Sequence, residues 1–375
     1  MYQIDEKEIK KAYLVCPYDK NVNAEYSSTE LRLLAESDYY EIVKINIFVP
    51  RELNARTYFG IGKAEEIRDE IKELGATTVI IDCKLSGSQL RNLAEIFGVE
   101  TIDRTMLILD IFAGRAKSRE GKLQVELAKL KYSLPRLSYL GLAQEKMQGK
   151  GAGESLKDLS KRKIQDDIIK LEKEIKVIQK NRDIQRKQRV YGAKSVALVG
   201  YTNAGKSTLM NVLSKAGTYS DDRLFATLDV LTKKIWDCGE EYVLTDTVGF
   251  VSNLPHELMY AFSATLEETL NANVLLLVVD SCDEHKYEQI EVVLKEIRRL
   301  NISDDRVVLV YNKVDKLISE SDEQLKQYPF TTCKISAKKN QNIDGLKKVI
   351  REKLAQNKYW CSKSGIVESI FLNII

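Results

Sequence analysis

Residues 200–207, with the sequence Gly-Tyr-Thr-Asn-Ala-Gly-Lys-Ser, limit the possible folds of this chain more than any other segment. They follow an apolar run at Ser195–Val199 that is typical of a buried strand, and a helical pattern comes after them. The glycines let successive backbone N–H groups curve around a phosphate, and a helix N-terminus favours negative charge. The order strand, Gly-Xaa4-Gly-Lys-Ser, helix therefore predicts a phosphate-binding loop in an α/β domain with a mostly parallel sheet.

Two side chains of this loop have predicted roles in chemistry. Lys206 is expected to reach the β- and γ-phosphate oxygens, and the Ser207 hydroxyl is expected to bind Mg²⁺. A second apolar strand ends at Asp246, which is followed by Thr247-Val248-Gly249. Asp246 can hold the magnesium shell, and the backbone N–H of Gly249 can contact the γ-phosphate. These residues together predict a site for Mg²⁺ and a nucleoside triphosphate.

Two further motifs concern the base. Asn312-Lys313-Val314-Asp315 follows a strand-like apolar run, and the Asp315 carboxylate can accept hydrogen bonds from guanine N1–H and the exocyclic amine. Adenine has no such donor pair, so this motif selects GTP over ATP. Ser336-Ala337-Lys338 follows another strand, where a backbone N–H can meet guanine O6. Four motifs in this order predict an enzyme that uses Mg²⁺ to hydrolyse GTP to GDP and phosphate.

Three residues bear on the rate of hydrolysis. A threonine that completes the magnesium shell belongs between the phosphate-loop helix and the Asp246 strand, where Thr227 lies and Thr218 and Thr232 are rivals by position. In many GTPases the residue after the glycine that corresponds to Gly249 is a glutamine, which orients the attacking water molecule. This chain has Phe250 at that position. We therefore expect slow intrinsic turnover and stimulation by a partner. Asn203 can either help to hold K⁺ near the β–γ bridge or merely cap the turn.

The predicted site residues form three overlapping sets. Catalytic roles fall to Lys206, Thr227 and Gly249, and metal binding falls to Ser207, Thr227 and Asp246. The predicted contacts to GTP or GDP are Gly200, Tyr201, Thr202, Asn203, Ala204, Gly205, Lys206, Ser207, Thr208, Phe225, Thr227, Asp246, Gly249, Asn312, Lys313, Asp315, Ser336, Ala337 and Lys338.

The hydrophobic pattern divides the chain of 375 residues, which exceeds the size of one core, into four parts. Residues 1–110 predict a small α/β domain with a mainly parallel sheet, residues 111–192 a helical hairpin with a glycine-containing loop, 193–356 the GTPase domain and 357–375 a short tail. The predicted strands of the first part are Ala12–Cys16, Glu41–Val49, Thr77–Asp82 and Val99–Ile102, and the predicted helices are Ser28–Ser37, Lys63–Leu74 and Ser86–Phe97.

The middle part has a helical pattern and a strong positive charge. An amphipathic helix over Glu120–Leu134 is expected to end at Pro135. A second helix, from Glu154 to about Arg189, carries a heptad seam that predicts packing of one helix on the other: Ile164, Ile168, Leu171, Ile175 and Ile178. Residues 111–190 hold 21 Lys/Arg and 10 Asp/Glu, against 37 and 45 elsewhere. This asymmetry predicts a polyanionic partner such as nucleic acid.

Composition argues against several other classes of protein. Six scattered cysteines without a Cys-Xaa-Xaa-Cys pair favour reduced thiols, and two histidines leave little for histidine-based acid–base or zinc chemistry. No apolar run reaches the roughly 18 residues of a membrane span, and the N-terminus lacks the pattern of a secretory signal. We expect a cytoplasmic monomer, because a single chain can satisfy the hairpin seam.

Several segments outside the general nucleotide motifs resemble the HflX family of bacterial ribosome-associated GTPases, within the Era-like P-loop superfamily. The similar segments are Leu109–Ala116, Ser118–Ala128, Leu134–Leu137, Leu224–Asp229 and Asp246–Val251. The resemblance extends to about residue 355, and it assigns the switch role to Thr227.

The resemblance implies an N-terminal α/β domain joined to the GTPase domain by a hairpin whose loop lies near the peptidyl-transferase region of the 50S subunit. It also implies rRNA contacts and GTP-dependent splitting or rescue of stalled ribosomes. The family's loop ends in Arg-Gly-Pro-Gly-Glu-Thr, whereas this chain has Lys150-Gly151-Ala152-Gly153-Glu154-Ser155. That difference motivates the hypothesis of a paralogue for antibiotic-stalled ribosomes. With 20 residues after Ala355, the family's small C-terminal domain is expected to be truncated or absent.

Two other functions compete with this one. The nucleotide motifs alone are compatible with a GTPase for ribosome assembly or tRNA modification, although the resemblance over 113–128 argues against it. Nucleotide-dependent RNA remodelling by the N-terminal domain has less support. Gly60-Ile61-Gly62-Lys63 lacks the spacing of a phosphate loop and fits a turn that opens a helix.

Overall fold

The computed structural model describes residues 10–19, 23–140, 156–189, 194–214, 225, 231–251, 271–317 and 328–356. The chain forms two compact units, the first mainly from residues up to Ile184 and the second mainly from Gln185 onward. The predicted division at residues 110, 192 and 356 stays a prediction. Among the described residues, no helix is both long enough and apolar enough to cross a membrane.

The first unit contains a four-stranded parallel sheet in the order β2-β1-β3-β4. All four residues of β3 are buried, as expected for a central parallel strand. This arrangement confirms the predicted α/β class. The elements are β1 (Lys10–Pro17), α1 (Ala24–Ser37), β2 (Tyr40–Phe48), α2 (Ile61–Leu74), β3 (Thr78–Ile81), α3 (Gly87–Phe97), β4 (Glu100–Asp103) and α4 (Arg104–Arg115).

Capping residues explain where these helices begin and end. Helix α1 begins four residues before its predicted start, because the Asn23 side chain accepts a hydrogen bond from the Tyr26 N–H and caps the first turn. Gly75 and Gly98 end α2 and α3 in the left-handed region, with φ of 64° and 70°. These ends agree with the predicted ones, because glycine adopts that conformation without a Cβ penalty.

Two long helices, α5 (Arg119–Leu140) and α6 (Leu156–Arg189), follow in the chain. Leu127 of α5 packs with Ile168, Leu171 and Ile175 of α6 in one apolar cluster. The heptad seam therefore packs helix on helix, as the sequence predicts. The connecting residues 141–155, including the altered loop motif, lie outside the described residues.

Helix α5 does not end at Pro135, so the predicted stop was wrong: the helix continues to Leu140. A proline inside a helix removes one backbone donor and crowds the preceding turn. Here the next residue, Arg136, makes compensating contacts, both within α5 and with Leu85 before α3. Its guanidinium donates to the carbonyls of Tyr132 and Leu85, at 2.8 and 2.7 Å, and lies 3.4 Å over the Tyr132 ring. These contacts hold the backbone on both sides of the proline.

The second unit contains a six-stranded sheet in the order β10-β9-β8-β5-β7-β6, in which only the β6–β7 pair is antiparallel. The parallel strands β5, β7, β8 and β9 bring their carboxyl ends to one edge, where ligands bind in folds of this type. The elements are β5 (Lys194–Gly200), α7 (Lys206–Ser214), β6 (Leu231–Asp237), β7 (Glu240–Asp246), β8 (Val274–Asp280), α8 (Lys286–Arg299), β9 (Val307–Asn312), β10 (Thr331–Lys334) and α9 (Ile343–Gln356).

The fully buried carboxylate of Asp103 joins three helices of the first unit. It caps α4 by accepting from the Met106 N–H at 3.0 Å, and it accepts from the Leu85 N–H at 3.3 Å, just before α3. From α5 it accepts hydrogen bonds from the Tyr132 hydroxyl and from Arg136. Since both α5 donors converge on this carboxylate, it fixes the hairpin to the sheet.

We predict that Asp103→Ala destabilises the first unit by about 3–5 kcal/mol, because it leaves buried donors and the Arg136 charge without their acceptor. Urea unfolding followed by circular dichroism measures the effect. Glu66→Ala is the matched control: it removes an exposed carboxylate, 2.7 Å from Lys63, with an expected cost of about 0–1 kcal/mol. Equal costs for the two variants would contradict a central role for Asp103.

Candidate functional site

The loop between β5 and α7 needs glycine at both ends. Gly200 has φ of 151°, and a Cβ there would lie 2.2 Å from the Val278 carbonyl oxygen of β8. Gly205 has φ of 91°, and its Cβ would lie 2.3 Å from the Asn312 side-chain amide. The loop is therefore pressed against the ends of two neighbouring strands, and any side chain at these positions would displace it.

Lys206, the first residue of α7, is buried beneath this loop. Its ammonium donates to the backbone carbonyls of Gly200 and Tyr201, at 3.0 and 2.7 Å. Burial lowers the pKa of Lys206 to about 8, and the nearby Asp246 carboxylate opposes this shift. The structure thus holds a poorly solvated cation at the centre of the loop, where an anionic phosphate would stabilise it.

Ser207 and Asp246 meet at the base of the loop. The Ser207 hydroxyl donates to Asp246 at 2.7 Å, and the carboxylate is fully buried at the end of β7. A hydroxyl and a carboxylate are hard oxygen ligands of the kind that Mg²⁺ takes, alongside phosphate and water. This pair therefore fits the predicted magnesium site, and these two residues would hold the ion.

The segment after Asp246 is hydrogen-bonded along the phosphate loop. The Phe250 N–H donates to the Gly200 carbonyl at 3.0 Å, and the Thr202 N–H donates to the Phe250 carbonyl at 2.9 Å. Gly249 lies so close that a Cβ would be 2.8 Å from Thr202 and 2.9 Å from the Lys206 ammonium. The Phe250 ring packs against one of the two cores of the second unit. Its apolar ring cannot orient a water molecule.

Asn312 connects the phosphate loop with the base-recognition loops. Its amide nitrogen donates to the Ala204 carbonyl at 3.0 Å, and its amide oxygen accepts from the Ala337 N–H, also at 3.0 Å. Asp315 accepts a hydrogen bond from the Ser336 hydroxyl at 2.6 Å, and this bond lowers the pKa of the carboxylate. A carboxylate that stays ionised is the acceptor that guanine requires.

The structure brings most of the predicted nucleotide contacts to the carboxyl edge of this sheet. Their proposed contacts with a nucleotide stay predictions. Thr227 lies outside the described residues, and its rival Thr232 is exposed on the edge strand β6. Phe225 groups with the first unit, and its buried ring packs edge-to-face on Phe112 with 4.8 Å between centroids. This packing gives no support to the predicted nucleotide contact of Phe225.

Three protein-family models match consecutive parts of the chain. A model described as GTP-binding GTPase N-terminal matches residues 25–113, and one described as GTP-binding GTPase Middle Region matches 115–189. A model described as 50S ribosome-binding GTPase matches 195–313, the region that contains the phosphate loop and Asn312.

Curated relatives decide the family. GTPase HflX of Caldanaerobacter subterraneus subsp. tengcongensis is 40% identical over 356 residues, which cover 93% of this chain and 81% of the relative. GTPase HflX of Escherichia coli K12 is 40% identical over 295 residues, covering 77% and 69%. The chain belongs to the GTPase HflX family. As a member it carries that family's GTPase domain.

A solved structure has a fold similar to that of this chain. The crystal structure of SsGBP in complex with GDP is 25% identical to this HflX-family chain, with a TM-score of 0.51, and the match covers 93% of this chain and 99% of SsGBP. The similarity therefore extends beyond the GTPase domain to both units of this chain.

Sequence reasoning missed the residues at the carboxyl end of β8. Asp280, Ser281 and Cys282 all contact the Asn312-Lys313 turn. No nucleotide motif contains them, but one signal was available. Asp280 is a charged residue directly after the continuous apolar run of a central parallel strand, which places it at the edge where ligands bind.

We predict that nucleotide affinity depends on pH through Lys206. Above about pH 8 a growing fraction of this lysine is neutral, so binding an anionic phosphate requires uptake of a proton. The Kd for GDP should then rise by up to about tenfold per pH unit above pH 8. Calorimetric titration in two buffers of different ionisation enthalpy measures the uptake, and Lys206→Arg, which keeps its charge, serves as control. A Kd that is constant from about pH 7 to 9 would contradict the prediction.

Proposed function

We propose that this HflX-family protein binds GTP with Mg²⁺, hydrolyses it to GDP and phosphate, and acts on the 50S ribosomal subunit to split or rescue stalled ribosomes. The observation that carries the nucleotide assignment is the Asn312 amide. It bonds to the phosphate loop at Ala204 and to the base loop at Ala337. A purine nucleotide spans these two loops, so one side chain holds both ends of the proposed site in register.

The proposed roles follow from the positions of the side chains. Lys206 would exchange its two carbonyl acceptors for β- and γ-phosphate oxygens, and Ser207 and Asp246 would hold Mg²⁺, which supplies charge neutralisation at the phosphates. Asp315, ionised and oriented by Ser336, would accept the two guanine donors. Thr227, from the segment outside the described residues, would complete the magnesium shell.

Hydrolysis by the isolated protein should be slow. The backbone of Phe250 is fixed to the phosphate loop on both sides, and its partly buried ring packs against an apolar core. The position that could carry a water-orienting amide thus offers no polar side chain. We infer that a bound partner makes it possible to orient the attacking water molecule, either by moving Thr227 or by contributing a polar group of its own.

Potassium is a further proposed cofactor. Asn203 adopts a left-handed conformation, with φ of 61°, and its carbonyl accepts a hydrogen bond from Lys313 at 2.8 Å. Asparagine tolerates this conformation, so a purely conformational role is also consistent with its position. The exposed side chain leaves an amide oxygen beside the phosphate loop for a monovalent cation.

The distribution of charged side chains on α5 and α6 supports a contact with RNA. Two lysines of α5 form ion pairs within the protein: Lys129 bonds to Asp110 at 2.6 Å, and Lys131 bonds to Glu172 of α6 at 2.7 Å. Glu172 and Glu174, the acids of the central part of α6, are both paired with α5 residues. The exposed cations of that part of α6 are Lys170, Lys173, Lys176 and Lys180.

This face of α6 has the chemistry of a phosphate-binding surface. Lysine side chains seven residues apart, such as Lys173 and Lys180, lie on the same side of a helix and can contact successive phosphates. Since Glu172 and Glu174 pair with α5 residues while the lysines of the central part of α6 are exposed, this part of α6 presents a positive field to an approaching polyanion. We propose that rRNA of the 50S subunit is that polyanion.

We predict that 50S subunits strongly stimulate GTP turnover of the purified protein and that 30S subunits do not. The test measures phosphate release by the protein alone and with each subunit in potassium buffer, and a sodium buffer of equal ionic strength reports on the Asn203 proposal. No stimulation by either subunit would refute the ribosomal role. Equal rates in both buffers would refute a catalytic potassium ion.

We also predict that Lys173→Glu/Lys180→Glu weakens binding to 50S subunits by at least about tenfold at physiological salt, and lowers the slope of log K against log salt by about 2. Intrinsic GTP turnover should not change, because neither lysine lies in the nucleotide site. Lys72→Glu/Lys348→Glu, which reverses two exposed charges elsewhere, is the control for net charge. If both double variants lose the same affinity, the α6 face has no specific role.

A further inference from the structure

The tripeptide Asp280-Ser281-Cys282, at the end of β8, holds the backbone of the turn that begins the base-recognition motif. Ser281 is fully buried, and both its N–H and its hydroxyl donate to the Asn312 carbonyl, at 2.9 and 2.6 Å. The Cys282 thiol donates to the Lys313 carbonyl at 3.4 Å. Three donors from one short segment therefore fix two successive carbonyls of the neighbouring loop.

The turn needs this support because Lys313 has φ of 64°. A lysine in the left-handed region costs free energy and persists only where its surroundings determine it. The hydrogen bonds from Ser281 and Cys282 supply that constraint. They fix the backbone from which the Lys313 side chain reaches the phosphate loop at Asn203.

Asp280 fixes the other end of this side chain. Its Oδ2 lies 2.7 Å from the Lys313 ammonium, and its Oδ1 accepts from the Cys282 N–H at 3.0 Å, which orients the carboxylate. The same ammonium donates to the Asn203 carbonyl at 2.8 Å. Lys313 thus lies between a carboxylate and the phosphate loop, and both side chains of the ion pair are about one-fifth exposed.

We propose that Asp280 is a positioning residue for nucleotide binding, which holds Lys313 against the Asn203 carbonyl so that the base loop and the phosphate loop keep a fixed separation. This role goes beyond the ribosomal function and rests on the proposed nucleotide site. Without the carboxylate the lysine ammonium would be hydrated and mobile, and nucleotide binding would have to order both loops. The ordering cost would appear as weaker binding.

The proposal has a specific kinetic signature. The Lys313 ammonium bonds to the Asn203 carbonyl oxygen and to Oδ2 of Asp280. Both oxygens belong to protein groups that do not change during GTP hydrolysis. Losing the constraint should therefore affect GTP and GDP equally and leave the chemical step unchanged. Uniform loss of binding raises KM while kcat stays constant.

The test uses the full chain with Asp280→Asn, and fluorescent GTP and GDP analogues as probes. We expect the Kd for both to rise by about tenfold, kcat to change by less than about twofold, and Asp280→Glu to restore most of the affinity. Glu240→Gln is the control, because it breaks another close ion pair of the same unit, 2.6 Å from Lys194, away from the site. The Glu240→Gln variant should bind both analogues with the same Kd as the native protein.

A double-mutant cycle separates positioning from general stability. In a Lys313→Met background, adding Asp280→Asn should change the Kd by less than about twofold, because the carboxylate acts only through the lysine. Additive losses, or native affinity in Asp280→Asn, would overturn the proposal. If Asp280→Asn does not fold, the same cycle is run with Asp280→Ser, where native affinity in the single variant or additive losses in the double variant would equally overturn the proposal.

Asp315→Ala distinguishes failure of this proposal from failure of the nucleotide assignment. If Asp315→Ala loses guanine nucleotides while Asp280→Asn binds them normally, the site is correct and the positioning role is wrong. If Asp315→Ala binds both analogues like the native protein, the proposed nucleotide site is itself wrong and the positioning role falls with it.

Discussion

The close approach of Gly200–Gly205 to the ends of β8 and β9 is the constraint on which the nucleotide site depends. Without side chains at its ends, the loop can approach the Val278 carbonyl and the Asn312 amide, and the amide then bonds to the loop at Ala204. Phe250 fixes the other side of the loop. Strand ends therefore determine the position of the loop whose backbone N–H groups would face a phosphate, and they do so through close packing.

The two units use the same edge of a parallel sheet in opposite ways. In the first unit, Arg104 fills this edge by bonding to Asp82 at 2.7 Å and to Glu30, and all three side chains are buried. In the second unit the corresponding edge carries glycine-containing loops and, within the part of the chain that the structure describes, one buried cation, Lys206. A buried charge that is paired within the protein contributes to structure, whereas one that bonds only to carbonyls is prepared for an anionic ligand.

Electrostatics in the hairpin follows from helix geometry. The seam residues of α6 fix which side faces α5, and the acids Glu172 and Glu174 flank that side and pair with α5 cations. Lysines on the remaining faces have no such partner helix and stay exposed. The apolar seam fixes the orientation of α6. The excess of positive charge in this part of the chain is therefore concentrated on the faces of α6 that point away from α5.

The sequence by itself determined the class of fold, the order of the nucleotide motifs and the helix ends at Gly75 and Gly98, because these depend on local backbone preferences and strand–helix alternation. It did not predict that α5 passes through Pro135, since one compensating contact of Arg136 is with the Leu85 carbonyl, which is distant in the chain. It also gave no role to Asp280. Only the tertiary structure could decide that role, because the partner of Asp280 is Lys313, directly after the neighbouring strand β9, and pairing between strands is a property of the folded sheet.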